Sequence, residues 1–212
     1  HTYLGTLYGQ QGEWREAINS YKRALAGGVN NPLIHLNLGE AYSRIGNYRQ
    51  AEKSLLTYLK SKPKDVDARL RLAAVYRKRN KNKNAIKTLK GVIKDNPKSL
   101  KAHLALVDLY EKLNRDKEAA AVYEAIAKLS PDNKVVHYNQ GVLYYEMKQY
   151  DRAAKAFSQV MKLDKKDIDA REYLVEVYRQ QKKPRKALAV LEELIKLRPD
   201  HWPYYAKAVE FY

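Results

Sequence analysis

The chain has no cysteine and few glycines, 9 in 212 residues. Without thiols it can hold no disulfide framework, thiolate zinc site, iron–sulfur cluster or cysteine nucleophile. It suits a reducing or an oxidising compartment equally well. Long hydrophobic runs are missing too. One of the longest, Ala119-Ala120-Ala121-Val122, stops at Tyr123 and Glu124, far short of the roughly 18 apolar residues a membrane helix needs. No span across a bilayer is expected. The opening residues, His1-Thr2-Tyr3-Leu4, lack an initiator Met and the profile of a signal peptide, so the chain reads as an excerpt or a processed form. Negative charge is scarce: 24 Asp plus Glu stand against 41 Lys plus Arg, a net charge of +17. With 45% hydrophobic and 31% charged residues the balance is that of a folded, soluble chain rather than a disordered tail. The compartment stays open between cytoplasm and periplasm, with a peripheral place on a membrane also allowed.

What the chain does have is a period of 34 residues. Tyr recurs at Tyr8, Tyr42, Tyr76, Tyr110, Tyr144, Tyr178 and Tyr212. Ala17, Ala51, Ala85, Ala119, Ala153 and Ala187 keep the same spacing, as do Leu4, Leu38, Leu72, Leu106 and Leu174. Pro63, Pro97, Pro131 and Pro199 mark unit ends. Inside one unit His35, Leu38, Gly39 and Tyr42 follow i, i+3, i+4, i+7, and Ala51, Leu55 and Tyr58 follow i, i+4, i+7. Both are helical periods. Each unit is therefore two helices, turned at Gly46-Asn47, and at Gly12, Asn80 and Asn114 in other units. Helices are expected at about 1–10, 14–26, 32–44, 48–61, 66–79, 83–95, 99–112, 116–129, 133–146, 150–162, 167–180, 184–197 and 203–212. The short residues Gly5, Gly39, Ala73 and Gly141 would let the second helix of a pair approach closely, against a flat surface offered by the Ala series. One pair cannot bury its apolar stripe alone, so neighbours must stack.

His35-x2-Leu38-Gly39-x2-Tyr42, then Ala51-x3-Leu55, then Pro63, closely resembles the tetratricopeptide repeat signature. His1, Leu4, Gly5, Tyr8, Ala17 and Tyr21 repeat it, as do Gly141, Tyr144, Ala153 and Phe157. Departures are Gln140 for Leu, Lys165 for Pro, and Val107 and Val175 for the small residue. The resemblance implies an all-α, right-handed superhelical solenoid of antiparallel helix pairs, a single array over 1–212. Its repeats run at about 1–31, 32–65, 66–99, 100–133, 134–167 and 168–201, with 202–212 a capping or truncated helix. It also implies a concave groove, lined by the first helix of each pair, that takes a peptide or helix of another protein.

If first helices line the groove, spacing gives its residues. The early units contribute Leu36, Asn37, Glu40 and Arg44, then Leu70, Arg71, Ala74 and Arg77, then Leu104, Asp108 and Glu111. The later ones contribute Val135, Tyr138, Asn139, Val142 and Tyr145, then Asp169, Glu172, Tyr173, Glu176 and Arg179. Tyr138, Val142, Tyr145 and Tyr173 beside Glu172 and Glu176 would suit an apolar anchor flanked by a basic residue. The competing reading is that some of these Tyr pack against the next repeat. One subclass of the family grips acidic chaperone tails with a five-residue carboxylate clamp. In those slots the first three repeats hold Thr2, Thr6, Asn37, Asp67 and Arg71, of which only Asn37 and Arg71 fit. A chaperone-binding role is disfavoured.

Charge gathers in the third repeat, where residues 66–99 carry 11 Lys or Arg against Asp67 and Asp95. Arg77, Lys78, Arg79, Lys81 and Lys83 crowd its turn, and Lys87, Lys90 and Lys94 form a helical stripe. Such a patch attracts an acidic protein, an anionic membrane or another polyanion, or is simply a solvated face. With no aromatic in 77–98 on which a base could stack, nucleic acid is disfavoured. His1, His35, His103 and His137 share a slot with Arg69 and Arg171, which argues against a metal site, and His201 is expected to begin the last helix. No phosphate loop, nucleophile elbow, zinc helix or dinucleotide fingerprint occurs. We therefore expect no cofactor and no catalysis. Three functions stay in view: a non-enzymatic scaffold binding a partner in its groove with the basic repeat as a second contact; electrostatic docking; and self-assembly into a homo-oligomer through the array ends, as in scaffolds of bacterial envelope or organelle machines of the pilus, polysaccharide-export or magnetosome type.

Overall fold

In a computed structural model the described residues are 1–211; Tyr212, last of the Tyr series, lies outside them. Among the described residues there are thirteen α-helices and no strand. First and second helices alternate: α1 (Thr2–Gln11) with α2 (Trp14–Ala26), α3 (Pro32–Arg44) with α4 (Tyr48–Ser61), and α5 (Val66–Lys78) with α6 (Asn82–Asp95). Then come α7 (Leu100–Lys112) and α8 (Asp116–Leu129), α9 (Lys134–Glu146) and α10 (Tyr150–Leu163), α11 (Ile168–Gln180) and α12 (Pro184–Leu197), and finally α13 (Trp202–Val209). The fold is a helical solenoid of helix pairs. The first twelve helices begin and end within two residues of the sequence-based expectation; α13 stops three residues short of it, at Val209.

The reasons the helices start and stop recur with the same period. A side chain at the N-cap of a first helix accepts a hydrogen bond from a backbone amide two or three residues on: Asn31 from Leu33, Asp65 from Ala68, Ser99 from Ala102, Asn133 from Val136 and Asp167 from Ala170. These five residues are 34 apart, and each satisfies an amide that a helix start would otherwise leave unpaired. The turn inside each pair requires left-handed backbone, at Gly12 (φ 79°), Gly46 (77°), Asn80 (56°), Asn114 (53°), Lys148 (58°) and Lys182 (55°). The two lysines complete a series that glycine and asparagine alone had suggested.

Packing follows from side-chain size. All six residues of the Ala series are fully buried. A Cβ added to Gly5, Gly39 or Gly141 would fall 2.7 Å from Tyr21 Cε1, 2.7 Å from Leu55 Cγ and 2.8 Å from Phe157 Cε1 respectively. The glycine therefore faces the large side chain four residues after the Ala, not the Ala itself. Leu38, Leu72, Leu106 and Leu174 are buried, whereas Leu4, in the same slot of α1, is 39% exposed.

The helices gather into two compact units, His1–Leu109 and the chain from Tyr110 onward. In the first unit α3 touches both α1 and α5, and in the second α9 touches α11, so first helices adjoin one another on one side of each unit.

Candidate functional site

In the second unit that side is aromatic. Tyr138 and Tyr145 on α9, four and eleven residues beyond the capped start, meet Tyr173 of α11 edge-on at ring-centroid distances of 5.8 and 5.9 Å. Phe157, fully buried on α10, stacks on Tyr173 at 5.0 Å and takes the edge of Tyr138 at 5.8 Å. The aromatic positions read as groove are thus also packing between repeats. Each such ring pair adds on the order of 1 kcal/mol beyond area burial.

Over these rings lies an open hollow of about 480 Å³, whose floor is Tyr138, Val142, Leu143 and Tyr173. Its rim is Asn114, Asn139 and three carboxylates, Glu111, Asp116 and Glu146. Sequence reasoning named Glu111 on the groove face but missed Asn114, Asp116 and Glu146. Asn114 stands at the turn and Asp116 opens α8, both outside a search confined to the faces of first helices. Glu146 carried a signal: its repeat slot otherwise holds Gln10, Arg44, Lys78, Lys112 and Gln180, so it is the one acid in that series.

The acids that the sequence placed beside the aromatics are otherwise engaged. Glu172 accepts a hydrogen bond from the Tyr204 hydroxyl at 2.6 Å. Burial and that carboxylate push the Tyr204 hydroxyl up to about 12. Glu176 accepts from Arg179 at 2.7 Å, Gln180 at 2.8 Å and Tyr145 at 3.3 Å. Burial works to raise the Glu176 pKa, but these donors hold it below its ordinary value. Tyr138 is raised by burial and then by the neighbouring Tyr173 and Asp169. Val135 is 61% exposed and does not join the hollow.

The first unit treats its corresponding face differently. Glu40 pairs with Arg44 at 3.4 Å and with Arg71 of the next repeat, and Arg77 pairs with Asp108 of the repeat after that. Burial alone would raise Glu40, yet the two guanidiniums hold it below the usual carboxylate range. Arg71, one of the two residues fitting the chaperone clamp, is thereby occupied. Asn37 and Glu40 line a small hollow of about 210 Å³ with Gln10 and Trp14. Leu70, Ala74 and Arg77 line another, of about 260 Å³, with Lys101 and Ala105. Leu36 is half-buried and Leu104 is 41% exposed; neither lines these two hollows.

The basic patch divides. Arg77 faces Asp108, while Arg79 and Lys81 both close on Glu52, Lys81 at 2.8 Å. Lys78, Lys83, Lys87, Lys90 and Lys94 are exposed. The slot shared by His and Arg is structural. In it His103 Nδ1 lies 2.9 Å from the Ser99 carbonyl and His137 Nε2 2.7 Å from that of Pro131. Arg171 donates to the carbonyls of Asp167 and Lys165, both at 2.8 Å. Each ties a first helix to the turn before it. His201 precedes α13 as its N-cap residue.

Family models described as Tetratricopeptide repeat match residues 76–143 and 144–210, and 36–90; one described as TPR repeat matches 5–46. Among curated proteins no sequence matches. Several solved structures share the fold. The C-terminal part of a TPR repeat-containing protein from Cytophaga hutchinsonii has a TM-score of 0.75 at 18% identity, over 100% of this chain and 84% of that one. MamA protein has 0.63 at 19%, over 83% and 94%. A tetratricopeptide repeat protein from Parabacteroides merdae has 0.63 at 18%, over 85% and 72%.

Proposed function

Because the chain belongs to the tetratricopeptide repeat family, in general a fold of non-enzymatic protein-interaction scaffolds, we propose that it holds a peptide or helix of a partner protein on the first-helix side of its second unit. The observation that supports this reading is the hollow over Tyr138, Val142 and Tyr173 with its rim of Glu111, Asp116 and Glu146. An apolar floor and an acidic rim suit a side chain that is apolar at its tip with a Lys or Arg beside it. Aromatic rings held edge-to-face are rigid, so little order is lost when a partner settles on them. The groove residues of the first unit serve the same scaffold less directly, since their charges are paired between repeats. The basic third repeat adds a second contact to an anionic surface.

A peptide library displayed on phage and selected on the immobilised chain tests this. Enriched sequences should carry an apolar residue within four positions of Lys or Arg. They should lose binding to Asn139→Arg with Glu146→Arg, two exposed positions on the rim, and keep it on Lys87→Glu. Enrichment indifferent to the rim variant would remove the hollow as the site.

A further inference from the structure

The cations of the first unit are periodic, and the period reaches beyond the third repeat. On each second helix four positions spaced i, i+4, i+7 and i+11 face outward, and all twelve in α2, α4 and α6 are exposed. In α6 they are Lys83, Lys87, Lys90 and Lys94. In α4 they are Arg49, Lys53, Leu56 and Lys60, and in α2 Arg15, Asn19, Lys22 and Ala26. Nine of the twelve are cationic and none is acidic. The matching positions of α8, α10 and α12 hold six cations and three acids, Glu124, Asp151 and Glu192. These positions alone carry +9 in the first unit against +3 in the second.

We propose that this outer second-helix face of the first unit docks on an anionic lipid membrane surface. Three observations favour lipid over other polyanions. The charges lie in three stripes, one on each second helix, about 16 Å long on α4 and α6 and about 10 Å on α2 at 1.5 Å per residue, a broad array that suits a sheet of headgroups rather than one defined carboxylate. No aromatic stands among the twelve positions to stack on a base. Leu56, on the middle helix of the three, is 41% exposed beside Arg49 and Lys53 and can enter the headgroup layer. Arg77 is held by Asp108, and Arg79 with Lys81 by Glu52; that last group borders the face, lining one hollow with Arg49, Lys53 and Leu56, and its two cations leave it net positive. The inference is independent of the groove reading.

Co-sedimentation of the full chain with vesicles decides it. Pure phosphatidylcholine vesicles should leave the chain in solution, and vesicles with about one-third phosphatidylserine should carry it down at low salt. Binding should fade as salt shortens the screening length to about 3 Å near 1 M. Lys83→Glu with Lys87→Glu and Lys94→Glu should lower partitioning by roughly two orders of magnitude, at about one-fifth per lost cation. Lys117→Glu with Lys155→Glu and Lys196→Glu removes the same charge from exposed positions of the second unit and should keep most of the binding. Circular dichroism of both variants confirms that they fold. Equal loss in the two variants would show attraction to net charge alone and overturn the proposal. So would a chain that ignores the anionic vesicles but binds polyglutamate or a duplex oligonucleotide.

Discussion

The two units are built on one repeat and use its free positions differently. Residues 1–109 carry 21 Lys plus Arg against 8 Asp plus Glu, a net of +13; residues 110–212 carry 20 against 16, a net of +4. Between first helices the first unit relies on ion pairs, Glu40 with Arg71 and Arg77 with Asp108, where the second relies on rings, Tyr138 and Tyr145 on Tyr173. The turns differ as well: Gly12, Gly46 and Asn80 in the first unit, Asn114, Lys148 and Lys182 in the second. Once Ala, the small residue and its large partner have fixed how a pair closes, the remaining faces are free to become a charged exterior in one place and an aromatic hollow in another. Interaction chemistry is therefore written in the positions where repeats disagree.

The comparison can be broken most severely at the core. Phe157→Ala should cost about 3–5 kcal/mol by denaturant unfolding and should also erase near-ultraviolet dichroism from Tyr138 and Tyr173, which rest on that ring. Leu55→Ala, the corresponding slot of the first unit, should cost about 2–5 kcal/mol with that tyrosine signal retained. A signal unchanged in Phe157→Ala would mean that the rings do not depend on it. Next in size is alkaline pH. The Tyr204 hydroxyl, ordinarily near 10 and raised to about 12 by burial and Glu172, favours the fold while protonated. Its contribution, on the order of 2 kcal/mol, is whole below pH 10 and lost as pH rises toward 12. Trp202 fluorescence in a Trp14→Phe background should follow that loss, and Tyr204→Phe should flatten it.

Smaller effects sharpen the contrast. Lys148→Gly and Lys182→Gly should each raise stability by about 1 kcal/mol, because a β-carbon in left-handed backbone is crowded by the following carbonyl. Gly46→Lys should cost the first unit a similar amount. If thermal midpoints do not move, the φ values of 58° and 55° at these lysines carry no strain. Smallest is Glu40→Gln, about 0.5 kcal/mol, present above pH 4.5, lost as pH falls through the lowered value of this carboxylate, and absent in molar salt. The hydroxyl of Tyr145, bound to Glu176 in the second unit, should show no such salt dependence when removed in Tyr145→Phe.

Much of this was legible in residue order. The helix pairs, their turns and the buried Ala series follow from a spacing of 34, since each recurrence places the same side chain at the same contact. The cap series Asn31, Asp65, Ser99, Asn133 and Asp167 is equally legible, since a short polar side chain recurs in one slot at the same spacing. The candidate site was only half legible. Tyr138, Val142 and Tyr173 were readable as one face, but Asn114 reaches the hollow from a turn and Asp116 from the start of a second helix, which the spacing of first helices does not address. Burial of polar chemistry was less legible still. Glu172 and Glu176 look free in sequence and are bound by Tyr204 and Arg179, because their partners arrive from the next repeat or from one helical turn away.

The sequence by itself determined the helical pair and its repetition, because periodic small and large side chains leave one economical way to close each hairpin. Tertiary structure alone decided which charges remain available. Whether Arg77 neutralises Asp108, whether Arg79 and Lys81 neutralise Glu52, and whether three stripes of cations share one exposed face depend on distances between residues some thirty positions apart. Coulomb attraction and ring contact are set by those separations and not by order along the chain.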